Sequence, residues 1–124
     1  MKKQRILVVD DYEIVTMSTQ HILVDAGFEV VIAESGEQAI EQLEESSSYD
    51  LVITDLMMHE VSGVDVFKKV LEKNVNTHVL IMSGFSTDSS LFKEALELKP
   101  CGQMLKPFNK EDLLEKIRVC LEES

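Results

Sequence analysis

Basic charge is scarce in this sequence: 12 lysines and arginines stand against 23 aspartates and glutamates, a formal net charge of −11. A nucleic-acid surface draws most of its affinity from cationic contacts to phosphate, so direct nucleic-acid binding is not expected. Long apolar runs are missing too. The stretches Ile6-Leu7-Val8-Val9 and Val79-Leu80-Ile81-Met82 stop at four residues, whereas a membrane-crossing helix needs about twenty. The start, Met1-Lys2-Lys3-Gln4-Arg5, is basic, but the apolar run after it is too short for a signal-peptide core. A cytoplasmic protein with no membrane association is therefore expected. Two cysteines, Cys101 and Cys120, are too few for a disulfide framework and lack metal-site spacing. They read as small core or near-surface residues of a reduced compartment. The three histidines, His21, His59 and His78, are scattered without metal spacing, and His59 reads as a surface group. No repeat, low-complexity tract or linker divides the chain, so residues 1–124 are expected to form one domain around a single core.

What the sequence does have is a regular alternation of short β-branched runs with amphipathic stretches, the pattern of βαβ units. Strands are expected near residues 5–9, 29–33, 50–54, 78–82 and 103–105. The first helix is expected from Tyr12 to Ala26, burying Val15, Ile22 and Ala26 and stopping at Gly27. Ser35 and Gln38 form a capping box for the second, which buries Ala39, Ile40 and Leu43. The Ser46-Ser47-Ser48 run reads as a short loop, and the Glu122-Glu123 pair as a solvated helix end. Val64, Phe67 and Leu71 mark the third helix, and Leu91, Ala95 and Leu98 the fourth, which ends before Pro100. Asn109 caps the last helix, with Leu113, Ile117 and Leu121 facing inward.

The informative residues lie where the runs end. Asp10 and Asp11 follow the first run, Asp55 the third, Ser83 the fourth and Lys106 the fifth. Parallel strands point their carboxyl ends to one edge, so three carboxylates, a hydroxyl and an ammonium should meet there. Two like charges about 5 Å apart repel by roughly 3 kcal/mol at an effective dielectric near 20. Such a cluster must protonate in part, spread, or recruit a cation. A hard cation such as Mg²⁺ suits one or two carboxylates plus a phosphate. A carboxylate left free can attack phosphorus and form an acyl phosphate.

These residues make the chain similar to the receiver domains of two-component response regulators, over essentially its whole length. The resemblance implies a flavodoxin-like α/β fold: a doubly wound five-stranded parallel sheet, order 2-1-3-4-5, with helices on both faces. It implies phosphorylation of Asp55 by a sensor histidine kinase or phosphotransfer domain. Mg²⁺, or Mn²⁺ in its place, would be held by Asp10, Asp11, Asp55 and the Met57 backbone carbonyl. Ser83 becomes the switch hydroxyl and Lys106 the partner of the phosphoryl group. Gly63 matches the glycine after the acceptor loop, and a cis Lys106–Pro107 bond is implied. The result is a phosphorylation-dependent switch rather than a multi-turnover enzyme. Its output partner is unspecified, and homodimerisation is open.

The chain departs from the family pattern at four places. His59 stands for a proline in the acceptor loop, Gly84 for an alanine after the switch hydroxyl, and Gln103 for an aromatic before the lysine. Lys99-Pro100-Cys101-Gly102 replaces a small-residue turn. Gln103 raises a rival reading, a pseudo-receiver that binds proteins without being phosphorylated. An aspartyl phosphatase would want an acid at Met57, and a flavin protein a phosphate loop where the acid pair stands. Met57 and Phe85 would place apolar bulk near the acyl phosphate and prolong its life.

Overall fold

A computed structural model describes residues 3–46, 48–73, 76–84 and 87–122. Met1, Lys2, Ser47, Phe85 and Glu123, named in the sequence analysis, lie outside the described residues. The apolar runs form β1 (Arg5–Val9), β2 (Glu29–Ala33), β3 (Leu51–Asp55), β4 (His78–Ser83) and β5 (Gly102–Leu105). They alternate with α1 (Glu13–Asp25), α2 (Gly36–Glu45), α3 (Gly63–Lys73), α4 (Ser89–Glu97) and α5 (Lys110–Glu122). All strand pairs are parallel, in the order β2-β1-β3-β4-β5. This is the flavodoxin-like arrangement that the resemblance implied.

Strand side chains alternate between two cores. Leu7, Val9, Val52, Val79 and Ile81 face α2, α3 and α4 through Leu43, Phe67, Val70 and Ala95. Ile6, Val8, Ile53, Leu80 and Met82 face α1 and α5 through Leu23, Leu113 and Ile117. A strand buried on both sides carries few polar residues along its length, so its charged groups collect at its ends.

The local signals act as read in most places. Ser35 accepts from the Gln38 N–H at 3.0 Å, and the Gln38 side chain accepts from the Glu34 N–H at 2.6 Å. Gly27, at φ 99°, ends α1 with its N–H on the Val24 carbonyl. Asn109 caps α5 through the Asp112 N–H at 2.8 Å. The Lys106–Pro107 bond is cis.

Three expectations about packing are corrected. In α1 the buried residues are Thr16, Thr19 and Leu23, and Ala26 is exposed. The inward stripe is rotated by one residue because two threonines occupy it, leaving Ile14, Met17 and Val24 outside. In α3 the stripe runs through Gly63, Val64, Val66, Phe67 and Val70, and Leu71 is 45% exposed. Cys101 and Cys120 are joined in a disulfide with Cα atoms 5.1 Å apart, so neither is a free thiol. The reason is topological: β5 runs toward the carboxyl edge and α5 returns. The residue before the strand therefore meets the far end of the helix.

Candidate functional site

β1 and β3 are neighbours at the centre of the sheet, where the winding reverses, and their ends deliver the acids. Asp55 is the last residue of β3, paired with Met82, and is 6% exposed. Ser83, the last residue of β4, is also buried. Asp10 follows β1 and is fully buried. Its Oδ1 accepts from the Tyr12 N–H at 2.9 Å and its Oδ2 from Lys106 Nζ at 2.6 Å. Asp11 is exposed, and its Oδ2 accepts from the backbone N–H of His59 at 3.2 Å. Carboxylate oxygens of Asp10, Asp11 and Asp55 lie within 4.8 Å of one another.

Lys106 ties the edge together. Its Nζ stands 2.6 Å from Asp10 Oδ2 and 3.3 Å from Asp55 Oδ2, and its backbone N–H donates to the Ser83 carbonyl at 2.7 Å. The lysine is not the solvated group that it would be in isolation, since its side chain is only 21% exposed. β5 leads it across the top of the sheet instead of out into water. Burial disfavours its charge, yet the hydrogen bond to Asp10 and the charges of Asp55 and Asp10 together hold its pKa above the ordinary value. Asp55 is pushed up to about 6, first by burial and next by the charge of Asp10, with Lys106 opposing and Asp11 adding a smaller push. One ammonium does not neutralise three carboxylates. The donor set is all oxygen and carries excess negative charge, which fits a hard divalent cation.

The remaining named positions follow β3 and β4 or lie on β5. Met57 sits in the loop after β3, 47% exposed. The glycine matching the family pattern is sterically required: a Cβ on Gly63 would stand 2.2 Å from the Asp55 carbonyl oxygen. Gly84 donates its N–H to the Thr87 hydroxyl at 2.9 Å. Gln103 lies exposed on the wall of a groove of about 630 Å³ shared with Ser83, Phe92 and Phe108. The His59 contact to Asp11 had no sequence signal, because it uses a backbone donor that any residue except proline carries.

Comparison with known proteins bears on the chain as a whole. A family model described as the response regulator receiver domain matches residues 6–118. The chain is 35% identical over 118 residues to the chemotaxis protein CheY of Bacillus subtilis, covering 94% of this chain and 97% of that one. It is equally identical over 122 residues to the transcriptional regulatory protein CpxR of Escherichia coli, covering 97% of this chain and 50% of the regulator. The chain thus spans CheY almost end to end but only half of the transcriptional regulator. Among solved structures, a CheY-like receiver domain protein from Methanospirillum hungatei superposes with a TM-score of 0.91 at 27% identity, over 98% of this chain and 96% of that one.

Proposed function

Because the chain belongs to the response regulator receiver domain family, we propose that it is a phosphorylation switch whose acceptor is Asp55. In the proposed step an Asp55 carboxylate oxygen attacks the phosphorus of a phosphohistidine on a sensor kinase or phosphotransfer domain. The P–N bond breaks, its electron pair returns to the imidazole nitrogen, which takes up a proton, and an aspartyl phosphate forms. Bound Mg²⁺ or Mn²⁺ would screen charge on the transferring oxygens. Asp10, Asp11, Asp55 and the Met57 carbonyl are the groups we assign to hold it. Lys106 supplies a fixed cation to the phosphoryl oxygens, and the Ser83 hydroxyl donates to one of them. Hydrolysis of the acyl phosphate is the only turnover assigned to the chain, so it acts as a switch and not as a multi-turnover enzyme. Met57, two residues after the acceptor in sequence, is the ground on which we expect slow hydrolysis.

The observation that carries this reading is the placement of Lys106 between two buried carboxylates, one of them raised to about 6. Incubation with acetyl phosphate and Mg²⁺ should add one phosphoryl mass to the wild type and none to Asp55→Asn. A phosphorylated mass in Asp55→Asn would point to another acceptor.

Exposed Gln103 favours one second reading, the pseudo-receiver, and the same experiment decides it: no added mass in the wild type selects it. For the switch, Gln103 puts no ring into the groove beside Ser83. Beryllofluoride should therefore shift amides near the acceptor loop more than those of β5 and α5. The output partner is a protein or an attached domain. The acidic charge argues against direct nucleic-acid binding, and among the described residues no helix is long and apolar enough to cross a membrane. We assign the protein to the cytoplasm. Disulfides are rare there, and thiol trapping in cells measures how much of the chain carries the bridge.

A further inference from the structure

The loop between β3 and α3 is constrained by its own backbone bonds and by α2. Gly63 donates its N–H to the Leu56 carbonyl at 2.9 Å, drawing the loop ends together. A Cβ on Gly36 would stand 2.6 Å from the Val61 carbonyl oxygen, so the first turn of α2 packs directly on the loop. Within it, Val61 donates to the His59 carbonyl at 2.8 Å across Glu60, whose φ of 64° is uncommon for a residue with a side chain. Such a backbone persists only where its surroundings impose it. The segment behaves as a fixed body.

One donor leaves this body for another loop. The His59 N–H reaches Asp11 Oδ2, 48 residues away in sequence. Asp11 is exposed, and among the described residues its carboxylate has no other hydrogen-bond or ion-pair partner. Asp10, by contrast, is fixed on both oxygens. Without the amide, Asp11 would rotate freely, and a cation would have to order it on binding.

Resting on the phosphoacceptor reading above, we propose that the His59 backbone N–H is a positioning donor that presets Asp11 for the divalent cation. The bond occupies one carboxylate oxygen and leaves Oδ1 to the ion. It also sets the distance between Asp11 and the segment bearing the Met57 carbonyl. The residue type at 59 thus matters through its amide, and proline is the one residue that would remove it.

Two substitutions separate amide from imidazole. Mg²⁺ titrated against NMR shifts should give His59→Ala the wild-type affinity. His59→Pro should bind roughly tenfold more weakly, at the lower end of the loss seen when a ligand's supporting hydrogen bond is removed. Equal affinity in all three proteins, or the same loss in both variants, overturns the proposal. No Mg²⁺ response in the wild type overturns instead the metal-site reading on which it rests. A second measurement needs neither metal nor a folded proline variant. The His59 amide of the metal-free wild type should exchange with solvent several-fold more slowly than that of Asp11→Ala. Identical exchange in the two proteins overturns the proposal.

Discussion

The centre and the edge of the sheet solve opposite problems. β1 and β3 are buried on both faces and end in acids that are themselves buried, so desolvation acts on charge there. β5 has one neighbour strand; its Gln103 and Leu105 are exposed, Leu105 at 72%, and it is tied to α5 by a disulfide. The centre holds buried charged groups in an electrostatically costly arrangement, while the edge stays accessible and is secured covalently. Lys106 joins the two, leaving β5 to end among the acids of β1 and β3.

The largest expected effect comes from cutting that join. Lys106→Ala leaves Asp10 buried without its ammonium, and breaking a buried pair costs about 3 kcal/mol or more. Urea unfolding of the metal-free variant should show that loss at pH 7. Millimolar Mg²⁺ should recover part of it. A loss below about 1 kcal/mol would mean that the lysine is solvated after all.

Next is the covalent tie at the edge. The bridged residues are 19 apart in sequence, and closing a loop of that size stabilises by roughly 3 kcal/mol. Calorimetry with a reductant should show the melting temperature falling by about 10 °C. No change would show that the strand and helix are held as well by packing alone.

The centre should respond to pH. Asp55 titrates near 6 in the folded protein against an ordinary value of 3.8, so the folded state binds the extra proton between those values. Metal-free stability should therefore be highest below about pH 4 on this group's account, and fall as pH rises through about 6. The change should be of order 2 kcal/mol. Asp55→Asn should flatten this slope, and chemical denaturation across about pH 4 to 7 with both proteins checks it. A slope of the opposite sign would mean that Lys106 outweighs burial and Asp10.

The smallest effect lies on the far side of the centre from β5, in α1 over β1 and β2. Thr19 Oγ1 is buried without a hydrogen-bond partner among the described residues. Thr19→Val removes that hydroxyl at nearly constant shape and should stabilise by up to about 1 kcal/mol. Destabilisation would reveal a bond that the hydroxyl makes.

The centre was also far more legible in the sequence than the edge. Asp10, Asp55 and Ser83 announce themselves because β-branched runs fix strand ends, and parallel pairing brings those ends together. Strand order came through family resemblance and not through periodicity. α1 misled because Thr16 and Thr19 are polar residues in the inward stripe while Ile14 and Met17 face out. Thr16 can be buried because its hydroxyl donates to the Glu13 carbonyl at 3.0 Å, a bond that hydropathy does not register. The cysteine pair was hidden because nineteen residues of separation mean nothing until a strand and its returning helix are laid side by side. His59 was read by its side chain, when its backbone makes the contact.

The bridge between Cys101 and Cys120 lies at the end of β5 remote from the acids. It turns strand and helix into a lever with its pivot at the bottom. Any tilt of β5 against α5 is smallest at Gly102 and grows toward Lys106 and Pro107. With the bridge formed, a displacement of β5 starting at the acid edge is thus restrained at the strand's lower end.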